Sequence, residues 1–177
     1  SLVEPVDLMG TLSSSLKEVG LFMGMDGISI FIPSRDGRGL KAILDLSWKA
    51  GGFSGIKDPP SLLRALEPEG HIFIDPSSDD NTREKIIPIL EFSSPVPCMI
   101  LRLDHEGEFQ GILAAWGEEM LEDEETFAAL AFIGQALGAA LSRKRAECTK
   151  ERDHQRYQQI VDDQLDRHRP PEVRLER

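Results

Sequence analysis

Cys98 and Cys148 are the only thiols in this 177-residue chain, and they stand fifty residues apart. Thiol chemistry needs a thiolate and, for a complete redox cycle, a resolving partner close by. Cys98 falls in an apolar run and Cys148 in a charged helical stretch, so Cys98 reads as a small apolar filler. The four histidines, His71 and His105 among them, never reach metal-ligand spacing with Cys or Asp. No Ser-His-Asp arrangement is visible. Gly51, Gly52 and Gly55 make a flexible loop, but no Lys-Ser/Thr follows, so it is not a nucleotide cradle. Arg102 is the residue most out of place. It interrupts an apolar strand pattern over 99–103, on the same face as Cys98 and Ile100 by alternation. A charge there must reach solvent, an acidic neighbour or an anionic ligand, and pairing with an acidic neighbour is preferred. Arg83, in a long connection, is a candidate lid cation, with a plain surface role as the alternative.

The elements that must position these residues follow from periodicity. Residues 6–25 carry a helical apolar stripe through Leu8, Leu12, Leu16, Val19 and Phe22. Ile28, Ile30 and Ile32 alternate as a strand that Pro33 ends, and Asp36-Gly37 with Arg38-Gly39 supplies hairpin turn chemistry. A second strand alternates Leu40, Ala42, Leu44, Leu46 and Trp48 against Lys41, Ile43, Asp45 and Ser47. Residues 49–60, rich in Gly and Pro, read as a loop. Ser61 is expected to cap a short helix over 62–66, and 71–74 is a short strand. Residues 77–95 form a long connection, helical only from about Thr82 to Phe92; such connections are often lids. Residues 98–103 and 109–116 are the clearest strands, with Gly107 in the turn between them. Acidic residues 122–125 then open a helix whose stripe runs Phe127, Leu130, Ile133, Gly134, Leu137 and Leu141.

Charge divides the chain. Residues 1–142 hold ten Lys/Arg against 23 Asp/Glu, a net −13, and 143–177 hold ten against eight, a net +2. So acidic a main domain repels phosphate backbones, and no nucleic-acid partner is expected. The apolar stretches fall short of the ~20 residues of a membrane span, and no leader pattern is read at the N-terminus. Two cysteines and no framework point to a reducing cytoplasm. With Ser1 rather than Met in first place, the sequence is expected to be a piece of a longer protein.

The order helix, hairpin, short helix, short strand, long connection, hairpin, long helix resembles the GAF domain. The likeness covers about Leu8 to Arg145. It is carried by Cys98-Met99-Ile100-Leu101-Arg102-Leu103, Gln110-Gly111-Ile112-Leu113-Ala114-Ala115, the acidic helix start and Leu130-Ala131-Phe132-Ile133-Gly134-Gln135-Ala136-Leu137. His71-Ile72-Phe73-Ile74-Asp75 is similar to the family's third strand. PAS is the nearest rival, but lacks the pairing of a long N-terminal with a long C-terminal helix. The resemblance implies an α+β fold, an antiparallel sheet of five to six strands. Terminal helices cover one face and loops with short helices the other, leaving a cavity on the loop side. It implies a regulatory domain, not an enzyme, that binds an unidentified small molecule in some members and nothing in others. The terminal helices would pair in a homodimer and lead to a C-terminal output such as a histidine kinase, cyclase or transcription activator. Ser29, Phe31, Asp45, Ser47, Phe73, Arg83, Cys98 and Arg102 are the candidate ligand-binding residues, and Trp48 and Trp116 are expected at the cavity rim.

No cofactor is identified. The family's cyclic-nucleotide signature is absent: Thr82 follows Asn81, and no Phe shortly precedes 122–125. Cys98 precedes Met99 rather than the His of bilin-binding relatives. The alternative reading is a GAF-like free methionine sulfoxide reductase using Cys98, which would need an external reductant. The expected organisation is a sensor domain over 1–145, a helical signalling linker over 146–169 and a disordered tail over 170–177. Beyond Leu141 the seam turns polar and recovers only at Tyr157, Ile160, Val161 and Leu165 before Pro170 and Pro171 stop it, a weak coiled coil.

Overall fold

A computed structural model describes the backbone of residues 5–78 and 81–167 and the side chains of residues 10–78 and 84–167. Helix α1 (Pro5–Phe22) leads into strands β1 (Gly27–Pro33), β2 (Leu40–Ser47) and β3 (Phe53–Ile56). Helix α2 (Pro59–Leu66), strand β4 (His71–Ile74) and helix α3 (Asn81–Ile86) follow. A 3-10 turn (Ile87–Ile89) then precedes β5 (Leu90–Phe92), β6 (Cys98–His105), β7 (Glu108–Trp116) and helix α4 (Glu124–Arg167). The chain divides into two compact units, Ser1–Ala139 and Ala140–Arg177.

In the first unit a five-stranded sheet runs β2-β1-β7-β6-β4, every neighbouring pair antiparallel. Strand alternation sorts its side chains onto two faces. One face carries Phe31, Ile112, Ala114, Ile100, Cys98 and Ile74, buried with Leu62 and Leu66 of α2, Ile86 of α3 and Leu90 of β5. The other carries Ile28, Ile30, Met99, Leu101, Leu103 and Leu113, also buried. On that side α1 buries Leu16, and α4 buries Leu130 and Leu137. Gly138 lets α4 cross close to β6: a Cβ there would meet the Asp104 carbonyl oxygen at 2.6 Å.

Four local readings are corrected. β3 lies inside the segment read as loop and β5 inside the segment read as helix, and the two pair as a separate two-stranded sheet. That pairing spans nearly forty residues of sequence, beyond the reach of any local pattern. Helix α2 is capped by Asp58, not Ser61. The Asp58 carboxylate accepts from the Ser61 backbone N–H at 3.3 Å and its hydroxyl at 2.6 Å. In β2 a bulge between the Ile30–Leu44 and Phe31–Ala42 pairs flips the alternation, so Leu40 and Ala42 share a face with Asp45 and Ser47.

Helix α4 begins as its acidic start predicts. The Thr126 N–H donates to Asp123 Oδ1 at 2.7 Å, and Glu124 and Glu125 occupy the first turn. Its uncharged run, 126–142, also changes one expectation. By length and composition a stretch of α4 is apolar enough to cross a membrane, with mean hydropathy 1.3, and 28% of that stretch is buried. Residues Leu130, Gly134 and Leu137 turn that run into a core helix on one side only. The prolines at 170 and 171 lie outside the described residues.

Candidate functional site

Six of the eight candidate residues share the sheet face opposite the terminal helices. Ser29 is buried, and its hydroxyl donates to Asp45 Oδ1 at 2.8 Å. Ser47 lies beyond Asp45 and donates to the Lys49 carbonyl at 2.8 Å. Phe31, Cys98 and Arg102 continue the same face across β1 and β6. Phe73 is not with them. It pairs with Met99 and points to the helix-covered side, because β4 enters the sheet with Ile72 and Ile74 on the other face. Arg83 sits on α3, and its side chain lies outside the described residues.

The centre of this face, where the sequence places a cavity, is filled by core packing. Phe53 stands edge-on to Phe31 at 5.9 Å and to Phe92 at 5.8 Å, and tilts against Trp116 at 5.5 Å. Trp116, expected at a rim, is instead 1% exposed. Its ring is clamped between Gly27 and Gly52, and a Cβ at either would overlap it. Gly52 also has φ +94°, a conformation that only glycine adopts without strain. Cys98 is fully enclosed here. Burial pushes its thiol well above the ordinary range, the reverse of what a nucleophile needs. Cys148 is exposed. Among the described residues no group of three His, Cys, Asp or Glu is placed to hold a metal ion.

Open space lies instead at the sheet edge. β4 pairs with β6 only from Cys98 to Leu101, whereas β6 runs on to His105. The last link is Arg102 N–H to the Gly70 carbonyl at 2.8 Å. Past it the edge of β6 is unpaired, and α4 lies alongside. The resulting groove of about 300 Å³ has a floor of Leu101, Phe127, Ala131 and Gly134. Glu69, His71, Arg102, Asp104 and Gln135 supply its polar groups. The His71 ring lies 4.3 Å from the Phe127 ring at 40°. Its Nδ1 is 3.2 Å from the Glu69 carbonyl and its Nε2 3.9 Å from the Glu69 carboxylate. Arg102 is already engaged: Nε donates to Asp104 Oδ1 at 2.8 Å, and the guanidinium carbon sits 5.0 Å over the Phe109 ring. Of these, Glu69 carries no signal in the sequence, His71 stands outside any metal-ligand spacing, and Phe127 belongs to the apolar stripe of α4. The groove follows from the mismatch between a four-residue strand and its eight-residue neighbour, which only their pairing reveals.

A second, almost wholly apolar groove of about 200 Å³ lies between α1 and α4. Leu12, Leu16 and Val19 face Phe132, Ile133 and Ala136 across it. Phe132 is 75% exposed beside it, and Phe22 and Leu21 at the end of α1 are also exposed.

No protein-family model and no curated protein matches the sequence. Solved structures do. A domain assigned to a two-component sensor histidine kinase protein from Sinorhizobium meliloti 1021 aligns with a TM-score of 0.52 at 17% identity, covering 85% of this chain and 99% of that one. The GAF domain of a two-component sensor histidine kinase from Bacillus halodurans aligns with a TM-score of 0.55 at 18% identity, covering 81% and 97%. The chain therefore has a GAF-like α+β fold, an antiparallel five-stranded sheet with a small second sheet and a long C-terminal helix.

Proposed function

We propose that this chain is the input domain of a cytoplasmic signalling protein. It takes up a small molecule and dimerises in parallel through α1 and α4. A change at the pocket then passes through residues 146–169 to a C-terminal output domain such as a histidine kinase, cyclase or transcription activator. Under this reading residues 1–145 are the sensor and the following helix is the linker. The fold shared with two domains of sensor histidine kinases supports the regulatory role.

The observation that carries the proposal is the apolar surface on the two terminal helices. Phe132 lines a groove with scarcely any polar lining and is left 75% exposed, and Phe22 at the end of α1 is 87% exposed. Isolated exposed apolar residues are ordinary, but a contiguous set around a groove marks an interface. A second copy would bring the same apolar helix surfaces to this groove. In the second unit Tyr157, Ile160 and Leu165 are exposed on α4 at the spacing of one helical face, available to a parallel partner. The reductase alternative rested on Cys98, whose burial and raised thiol deprive it of a thiolate.

Sedimentation across micromolar concentrations tests the dimer. Phe132→Glu should shift the equilibrium to monomer while far-UV circular dichroism holds and the melting temperature matches that of dilute, dissociated wild type. A wild-type protein that is monomeric throughout that range would remove the proposed route to the output.

A further inference from the structure

We propose that the groove at the end of β4 is a binding site for a small organic cation carrying an ammonium group. The inference deepens the sensor reading, on which it rests only for what binding would signal. The groove has the size of a small-molecule site, about 300 Å³. Its apolar floor includes one aromatic ring, Phe127, and carboxylates line it too, a combination that holds a methylated or alkylated ammonium by cation–π attraction and charge. Phe127 is 36% exposed, with its ring beside the His71 ring. Glu69 lines the groove, as does Asp104, which is paired with Arg102.

Charge decides against an anion. Arg102, the one guanidinium there, is held by Asp104 at 2.8 Å and by the Phe109 face. With Arg102 paired to Asp104, no free guanidinium is left in the groove to meet an anion, and Glu69 adds a further carboxylate. The acidic first 142 residues raise the cation concentration around it further. A bare metal ion fits poorly, because half the lining is apolar and the carboxylates do not converge in a cluster.

Small residues on α4 keep the space open. Phe127, Ala131 and Gly134 recur at i, i+4 and i+7, one helix face, and only the first has bulk. A ligand here touches the sheet edge through Gly70 and His71 and α4 through Phe127 and Ala131. It would therefore tie the edge of the sheet to the helix that runs on to Arg167. That is a different location from the face bearing Ser29, Phe31 and Cys98.

Titration of the full 177-residue chain with tetramethylammonium chloride, followed by 1H–15N correlation spectra, tests the site. Sodium chloride at equal ionic strength is the control. The expected result is saturable shifts at Gly70, His71, Ala131 and Gly134, with a Kd on the order of millimolar. Glu69→Gln should weaken binding several-fold, and Ala131→Leu should abolish it while the remaining spectrum stays native. Shifts reproduced by sodium chloride, saturable shifts confined to other surfaces, or none at all would each overturn the proposal. Those outcomes leave the sensor reading standing, and a monomer in sedimentation would sink the dimer while leaving these shifts untouched.

Discussion

Arg102 and Cys98 stand on the same strand face, and their surroundings give them opposite characters. The Arg102 guanidinium pairs with Asp104, whose carboxylate is 43% exposed, so the pair is a half-solvated ion pair. Arg102→Met should therefore cost only about 0–1 kcal/mol. A buried carboxylate partner would make the same change cost about 3–5 kcal/mol, and melting temperatures separate the cases. Cys98 is enclosed on every side, and burial opposes its ionisation. Native protein treated with iodoacetamide should be labelled at Cys148 alone. Raising the pH to 9 should leave Cys98 unmodified, because its thiol is held above that range. Mass spectrometry after denaturation would find both labelled. Rapid native labelling of Cys98 would contradict its placement and revive thiolate chemistry.

At the scale of elements, α4 decides most. Leu130 is fully buried and Phe132, two residues on, is largely exposed, so one helix presents a core face and an open face. Leu130→Ala should cost about 2–5 kcal/mol, and Phe132→Ala should leave monomer stability nearly unchanged. Equal effects in urea unfolding would mean that α4 is rotated. The start of the helix adds a pH dependence. Hydrogen bonds from the Thr126 side chain and backbone hold the Asp123 carboxyl below its ordinary value. A depressed folded-state pKa contributes stability above the unfolded carboxyl range, lost as pH falls through the folded value. Asp123→Ala should thus lower the melting temperature at pH 7 and lose that effect in acid strong enough to protonate the carboxyl. A destabilisation that is the same at both pH values would show that the carboxylate is not the cap.

For the whole molecule the division at Ala139 and Ala140 matters. From Arg145 to Arg167 the side chains are exposed almost without exception. Few apolar contacts mean low local stability, so amide hydrogens there should exchange far faster than those around Leu130 when the chain is dilute. A parallel dimer would protect Tyr157, Ile160 and Leu165 in proportion to concentration. Hydrogen exchange at two concentrations, well below and well above dimer formation, reads this directly. Protection of 145–167 that does not change with concentration would mean that the second unit is stabilised within one chain.

The sequence by itself determined the features whose physics is local. β6 and β7 are dense apolar runs separated by a glycine turn, α1 and α4 carry helical stripes, and the acidic residues at 122–125 mark where α4 begins. The family resemblance carried by those same runs holds for the fold. Tertiary structure alone decided what depends on contacts between distant residues. β3 and β5 are four and three residues long, too short to declare themselves, and exist because each completes the other's hydrogen bonds. One bulge in β2 reversed the faces of Leu40 and Ala42, since with a period of two a single extra residue turns the strand over. The loop-side cavity gave way to packing because Phe53, placed in a loop by its glycine neighbours, fills the space between Phe31 and Trp116. The groove beside His71 arises because β4 stops pairing at Leu101 while β6 continues and α4 passes alongside. Where two elements end relative to each other is a property of their pairing, and no residue in either strand encodes it alone.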